Sequence, residues 1–175
     1  MDSANVTSHV VDLKTDWFLS TITWTAKYLG LAVPPLVKID YLRSLPLGTF
    51  GRAWADHLDT HDLEPFNEGL RRQQLHDGIH VLTGYGTDPL GEAEVQAFLL
   101  GTKFHFANVL VMMGLLGAIN RQRQWQQVSV SRAEVRSRLK AACDRGQRAQ
   151  FDPDSWQPER HWHEPLAVVQ QQFGL

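Results

Sequence analysis

Apolar positions recur at helical spacing along the chain, and no convincing hairpin signal interrupts them. Residues 12–31 carry Leu13, Trp17, Ile22, Trp24, Tyr28 and Leu31 at mixed helical spacings. Pro34-Pro35 ends that segment, because proline lacks a backbone donor and drives its predecessor out of the helical region. A turn through Pro46-Leu47-Gly48 precedes a helix expected from Thr49 to about His57. Pro65 suits the first turn of the next helix, which is expected to run to about Leu82 and stop at the Gly84-Tyr85-Gly86 loop. Residues 91–120 read as one long helical stretch, with Gly101 or Gly114 as points of bending. Ser131 or Arg132 opens an amphipathic helix whose Val135, Leu139 and Ala142 fall at i, i+4 and i+7. Residues 151–162, rich in proline and tryptophan, read as an irregular arm. Pro165 then opens a short helix with Leu166, Val169 and Phe173 on one face. The expected fold is all-α: a single-domain helical bundle over 1–175, with 151–175 forming an arm and short helix packed on it.

The most apolar region, 95–119, fails as a membrane span. Crossing a bilayer takes ~20 consecutive apolar residues, and Lys103, His105 and Asn108 leave only 109–119 unbroken. A buried central helix is the expectation, with a lipid-binding or dimer face as the alternative. Length and composition change this picture little. With 175 residues, 43% hydrophobic and 21% charged, the chain is an ordinary globular one that can build a core without staples. A single cysteine, Cys143, excludes an internal disulfide and fits a reducing compartment. Residues 1–20 lack a basic start followed by an apolar run, so no secretory signal is visible and the Asn5-Val6-Thr7 sequon carries no weight.

Charge is more informative in its distribution than in its total. A net charge of −2 gives no reason to expect nucleic acid as a partner. Yet 121–148 holds eight basic residues against two acids, +6, leaving −8 for the rest. That stretch is either a solvated helix face or a patch that meets anionic lipid or an acidic partner. The expected location is cytoplasmic and peripheral to a membrane surface.

The strongest chemical signal is His76-Asp77-x-x-His80, followed after eleven residues by Glu92. On a helix His76 and His80 lie ~40° apart and Asp77 within ~100° of His76, so three donors share a face. The glycine-rich loop 82–91 can reverse the chain and bring Glu92 opposite them. Imidazoles and carboxylates on neighbouring helices are how helical proteins hold divalent ions. Mixed nitrogen and oxygen donors suit zinc, iron, manganese or cobalt better than calcium. Against this stands the reading of two surface histidines near unrelated acids. His57 and His61, among Asp56, Asp59 and Asp62, read as a solvated turn. His161-Trp162-His163-Glu164 lies in the arm with side chains pointing different ways. If the helix after Glu92 is continuous, Lys103 returns to within ~20° of its face. Lys103, and Arg72 one turn before His76, are therefore candidates to hold a substrate carboxylate or phosphate.

Residues 76–88 (His-Asp-Gly-Ile-His-Val-Leu-Thr-Gly-Tyr-Gly-Thr-Asp) and Gly91-Glu92-Ala93 strongly resemble the signature of the coenzyme Q (ubiquinone) biosynthesis protein 4 family. Leu45-Pro46-Leu47-Gly48-Thr49-Phe50-Gly51-Arg52 looks like that family's turn, and Glu159-x-x-Trp162-x-x-Pro165-Leu166 like its C-terminal element. Gly78 and Ile79 depart from the bulky or aromatic residues that many members carry beside the second histidine. The departure leaves the ligands intact and bears on the pocket wall.

The resemblance implies a mostly helical fold, often a homodimer, peripheral to membranes. It also implies a divalent ion, zinc first and otherwise iron, manganese, cobalt or magnesium, held by His76, Asp77, His80 and Glu92. The implied function is metal-dependent oxidative decarboxylation of a prenylated 4-hydroxybenzoate-type ring, with Glu92, His76 and His80 at the chemistry. Lys103 and Arg72 would meet the anionic head, and Phe104, Phe106, Leu110 and Met113 the isoprenoid tail. The alternative is a non-catalytic scaffold that binds the prenylated quinone precursor and organises other quinone-biosynthesis proteins. A His-Asp phosphohydrolase using His57 or His61, His76-Asp77 and Asp144 ranks last, because it leaves Glu92 and the glycine loop without a purpose.

Overall fold

A computed structural model of the chain describes residues 33–66, 70–124 and 129–175. The helix expected over 12–31 lies outside them. Among the described residues the fold is all-α, with eight helices and a single isolated bridge, Thr49 to Pro165, in place of any strand.

Helix α1 (Ile39–Arg43) leads through the proline turn into α2 (Phe50–Thr60). The Thr49 hydroxyl oxygen accepts from the Arg52 N–H, a side-chain cap for one of the donors a helix start leaves unpaired. Phe50, Trp54 and Leu58, one turn apart, are fully buried. The C-terminal arm packs on that row: Phe50 stacks on Trp162 and Trp54 on Trp156. Backbone bonds fasten it, with the Phe50 N–H donating to the Glu164 carbonyl at 2.8 Å and the Leu166 N–H to the Gly48 carbonyl at 3.0 Å. As expected, the arm is irregular, holding one 3₁₀ turn (Pro158–Arg160) before the last helix, Leu166–Gln172.

Three expected elements differ. Pro65 does not open a helix. The polar run after α2 ends with Asp62 in the left-handed region (φ 53°), and 63–66 lie outside any helix. Helix α3 (Arg71–Gln74) is a single turn, and α4 begins afresh at His76 (His76–Thr83). The Gln74 side chain between them is buried, accepting from the Leu36 N–H and donating to the Val33 carbonyl.

The stretch 91–120 is also broken, not bent. Helix α5 (Pro89–Thr102) stops at Lys103, whose backbone is extended (φ −157°, ψ 124°), and α6 (Phe106–Gln124) starts anew. The break is held by the arm. Lys103 pairs with Asp154 at 2.9 Å and Asp152 at 3.3 Å, and His105 meets Asp154 at 3.1 Å. Arg72 reaches the same Asp154 at 3.7 Å.

The third difference is which helix is central. It is α5, buried from Leu90 to Leu99 except at Glu92, and apolar on both sides because it lies between two clusters. Helix α6 buries only Asn108 and Ile119 and turns Phe106, Leu110 and Met113 outward, at 66%, 55% and 66% exposure, and Phe104, just before it, is 71% exposed. Helix α7 (Arg132–Arg148), capped by Ser131, covers α5's other flank, and its Arg138 pairs with the buried Glu94. Between α5, α6 and α7 runs an apolar groove of about 570 Å³, floored by Ala97, Leu100, Met112, Leu116, Val135 and Leu139 and edged by Arg123, Arg132, Arg136 and Lys140. The last helix, α8, is Leu166–Gln172, with Val169 buried. No helix among the described residues is long and apolar enough to cross a membrane.

The Asp154 junction is testable. The hydrogen bond from Lys103 holds the Asp154 carboxyl below its usual range. A folded value below the unfolded one stabilises fully above about pH 4 and is lost as pH falls through the folded value. Asp154→Asn is expected to lower stability in urea denaturation by up to about 1 kcal/mol at pH 7, as for other part-exposed pairs. That gap should close on acidification below about pH 4.

Candidate metal centre

Helix α4 sets His76 and His80 one turn apart. Gly84, left-handed at φ 74°, ends α4, and its N–H donates to the His80 carbonyl. Asp88 then caps α5, its carboxylate accepting from the Leu90 and Gly91 N–H groups, with Pro89 in the first helical position. The loop folds tightly over this helix start: a Cβ on Gly91 would lie 2.1 Å from the Gly86 carbonyl oxygen, so only glycine fits.

This reversal delivers Glu92 to the histidines. His76 Nε2 lies 3.0 Å from Glu92 Oε2, His80 Nε2 lies 3.2 Å from Glu92 Oε1, and the two imidazole nitrogens are 3.1 Å apart. His80 Nδ1 is 3.1 Å from the Tyr85 carbonyl, which can only accept, so Nδ1 carries a hydrogen and a neutral His80 turns its Nε2 lone pair to the centre. The guanidinium of Arg145 lies over the Tyr85 ring and donates to the Thr83 carbonyl, bracing the loop from α7. These three side chains form the group among the described residues that could hold a metal ion.

The electrostatics follow from crowding. Burial raises the Glu92 carboxyl, but the hydrogen bonds from His76 and His80 outweigh it and hold it at about 2. Burial opposes a charge on His80, while Glu92, the Tyr85 carbonyl and Asp77 outweigh that and raise it. Asp77, expected as a fourth ligand, is not in the converging group. Its carboxyl is buried within α4, and burial raises it despite the neighbouring imidazoles.

The other sequence candidates fall elsewhere. The continuous helix that would have aligned Lys103 with Glu92 ends before it, and Lys103 and Arg72 both reach into the arm, to Asp154. Phe106, Leu110 and Met113 lie on the outer side of α6, Phe104 is exposed just before it, and the groove opens on the helix's inner side. His161 pairs with Glu164, and His163 with Tyr41.

His57 is the residue whose position the sequence reading missed. His61 is exposed in the polar turn, as expected, but His57 stacks on His80, with ring centroids 5.7 Å apart and planes within 18°. Burial, then the charges of His61 and His80, lower its imidazole to about 4. The signal was its register, three residues after Trp54 on the buried side of α2. Trp54 in turn touches α4 at Gly78, where a Cβ would fall 2.2 Å from the indole.

Two histidines on one helix and a glutamate opening the next thus define a helical protein with a candidate divalent-metal centre. No protein-family model matches the sequence. A Bos taurus protein, ubiquinone biosynthesis protein COQ4 homolog, mitochondrial, is 30% identical over 149 residues, covering 77% of this chain and 53% of its own length. Its Mus musculus counterpart is 26% identical over 154 residues, covering 79% and 54%. The chain thus spans about half the length of the curated relatives it matches. A solved Nostoc punctiforme structure, provisionally named a ubiquinone biosynthesis protein, superposes with a TM-score of 0.63 at 18% identity, over 81% of this chain and 70% of that one. That likeness establishes a shared fold. The chain belongs to the COQ4 family of ubiquinone biosynthesis proteins.

The contact at Gly78 carries a prediction. Gly78→Ala puts a methyl into the Trp54 ring, and overpacking of this kind costs about 1–3 kcal/mol. Urea denaturation followed by tryptophan fluorescence is expected to show that loss, and an unchanged midpoint would mean that α2 and α4 separate freely.

Proposed function

We propose that this chain acts in ubiquinone biosynthesis on a prenylated 4-hydroxybenzoate-type precursor, replacing the ring carboxylate by a hydroxyl from water with dioxygen as the two-electron oxidant. Carbon dioxide and hydrogen peroxide are the other products. The observation that carries the reading is the convergence of His76, His80 and Glu92 within 3.0–3.2 Å in a member of this family. Two imidazole nitrogens facing each other beside an ionised carboxylate are the donor set of a divalent cation, zinc or a first-row transition metal. Such an ion, when bound, supplies Lewis acidity and a site for an anionic oxygen.

The protein's own groups have separable roles in this reading. His76, His80 and Glu92 hold the ion, and the Tyr85 carbonyl orients His80. Asp77, buried beside them with its carboxyl raised, is placed to hold a proton that the acidic Glu92 would release. The apolar groove of about 570 Å³ between α5, α6 and α7 suits an isoprenoid tail better than the exposed outer side of α6. Its four basic edge residues suit an anionic membrane surface, from which such a lipid would be drawn. A homodimer and contact with other quinone-biosynthesis proteins fit the same reading. A scaffold that binds the precursor without turning it over is the alternative the groove also supports.

Two measurements test this. Protein purified without chelators is expected to carry one equivalent of a divalent metal by elemental analysis. His80→Ala should lose it, Asp77→Asn should weaken it less, and His61→Ala should keep it. Full occupancy in His80→Ala would overturn the assignment. Metal-loaded protein given a carboxyl-labelled prenylated substrate under air is expected to release labelled carbon dioxide. Glu92→Gln should cut release more than lipid binding, since tail contacts survive while a ligand charge is lost. Tight lipid binding with no release would establish the scaffold reading instead.

A further inference from the structure

His57 lies against the candidate metal centre without belonging to its ligands. Its ring is stacked on that of His80 at 5.7 Å, yet its nitrogens are not among the donors that converge with His76, His80 and Glu92. Its Nε2 is shut off from solvent and has no hydrogen-bond partner among the described residues. A buried polar atom left unpaired lowers stability, and native folds satisfy nearly all such groups. An imidazole kept there against that cost is free, as far as the described residues go, to take a bound molecule as its partner.

The position of His57 is built. Gly78 has no side chain, so Trp54 packs directly on α4. Trp54 is fully buried and stacked on Trp156, so α2 cannot rotate about this contact. His57, three residues further along α2, is thereby laid beside His80, two residues further along α4. A side chain at position 78 would move α2 away and take His57 with it. Gly78 is therefore the residue that admits His57 to the wall of the centre.

We propose that His57 is a substrate-contacting residue, its Nε2 hydrogen-bonding the anionic oxygen head of the molecule held beside His76, His80 and Glu92. The inference rests on the reading of that trio as a metal and head-group site. It adds a head-group contact that Lys103 and Arg72 do not supply, since both are engaged with Asp154. The ligand class is an aromatic carboxylate or phenolate, and 4-hydroxybenzoate is the probe.

Cobalt(II)-loaded protein gives a readout independent of turnover, because its visible bands change when an anion binds at the ion. Wild type is expected to take up one cobalt and to shift its bands saturably with 4-hydroxybenzoate. His57→Phe keeps the ring's bulk and should retain full cobalt with at least a tenfold weaker response to the probe. His57→Asn restores an N–H and should recover part of the affinity, while His61→Ala should match wild type. Unchanged probe affinity in His57→Phe overturns the proposal, as does an Asn variant no better than Phe. Wild type that binds cobalt but ignores the probe also overturns it. Failure of wild type to bind cobalt overturns the metal reading itself, and with it the head-group site; cobalt content separates that outcome from the others.

Discussion

The packing of Trp54 on Gly78 sets the geometry of everything around it. An indole is the largest side chain a core can hold, and truncating a buried one typically costs about 3–5 kcal/mol. Here the indole lies where α4 has no side chain, with a virtual Cβ only 2.2 Å from its ring. The contact brings α2 and α4 together and presents the indole's flat face to Trp156, which draws the C-terminal arm across both helices. Aromatic pairs add about 0.5–1.5 kcal/mol each beyond buried area, so the ring cluster of Phe50, Trp54, Trp156 and Trp162 is a substantial part of this core.

A second consequence runs through the arm. Once Trp156 is seated, Asp152 and Asp154 are held at its N-terminal side, where they collect Lys103, His105 and Arg72. Those pairs fix the break between α5 and α6 and so the angle at which α6 leaves. Helix α5 is left with two distinct faces. Glu92, Val95 and Leu99 fall at i, i+3 and i+7 toward α4 and the aromatic core. Ala93, Ala97 and Leu100 fall at i, i+4 and i+7 of their own row, toward α6 and α7. The candidate metal centre and the groove are thus two sides of one helix, and a ligand using both would have to pass around α5.

Much of this was legible in the sequence, for physical reasons that differ by element. The caps at Thr49 and Ser131, the glycine stop at 84 and the irregular arm are local signals, and they hold. The ligand trio was legible because helical spacing and a glycine loop determine it without reference to the rest of the fold. What failed depended on distant residues. Lys103 was assigned by helical phase, but Asp152 and Asp154, some fifty positions away, end the helix before it. Residues 95–119 were read as one buried central helix because they are apolar, though only the part in α5, with two clusters to serve, is largely buried. His57 looked like part of a polar turn because its acidic neighbours point outward, and only the closeness of α2 to α4 turns it inward. The three motifs carrying the family resemblance are contiguous in space: the proline turn pairs with the C-terminal element through the Thr49–Pro165 bridge, and α2 carries both to the His-Asp helix.

The trio itself explains why a cation suits this place. Two imidazole Nε2 atoms 3.1 Å apart cannot both present lone pairs without something positive between them. Within the protein alone that positive charge is a proton, and the raised affinity of His80 for one, beside an ionised Glu92, reflects it. A divalent ion bound there would do the same work with more charge and engage all three donors at once. Its uptake would displace a proton, so metal affinity and proton affinity would oppose each other at this site. Buried Asp77 belongs to the same balance: its carboxyl resists ionisation while only a proton serves the cluster, and an added divalent charge favours its ionised form. The centre is thus a compact set of acids and imidazoles whose protonation is set by what stands among them, and the wall beside it is built on Gly78, Trp54 and His57.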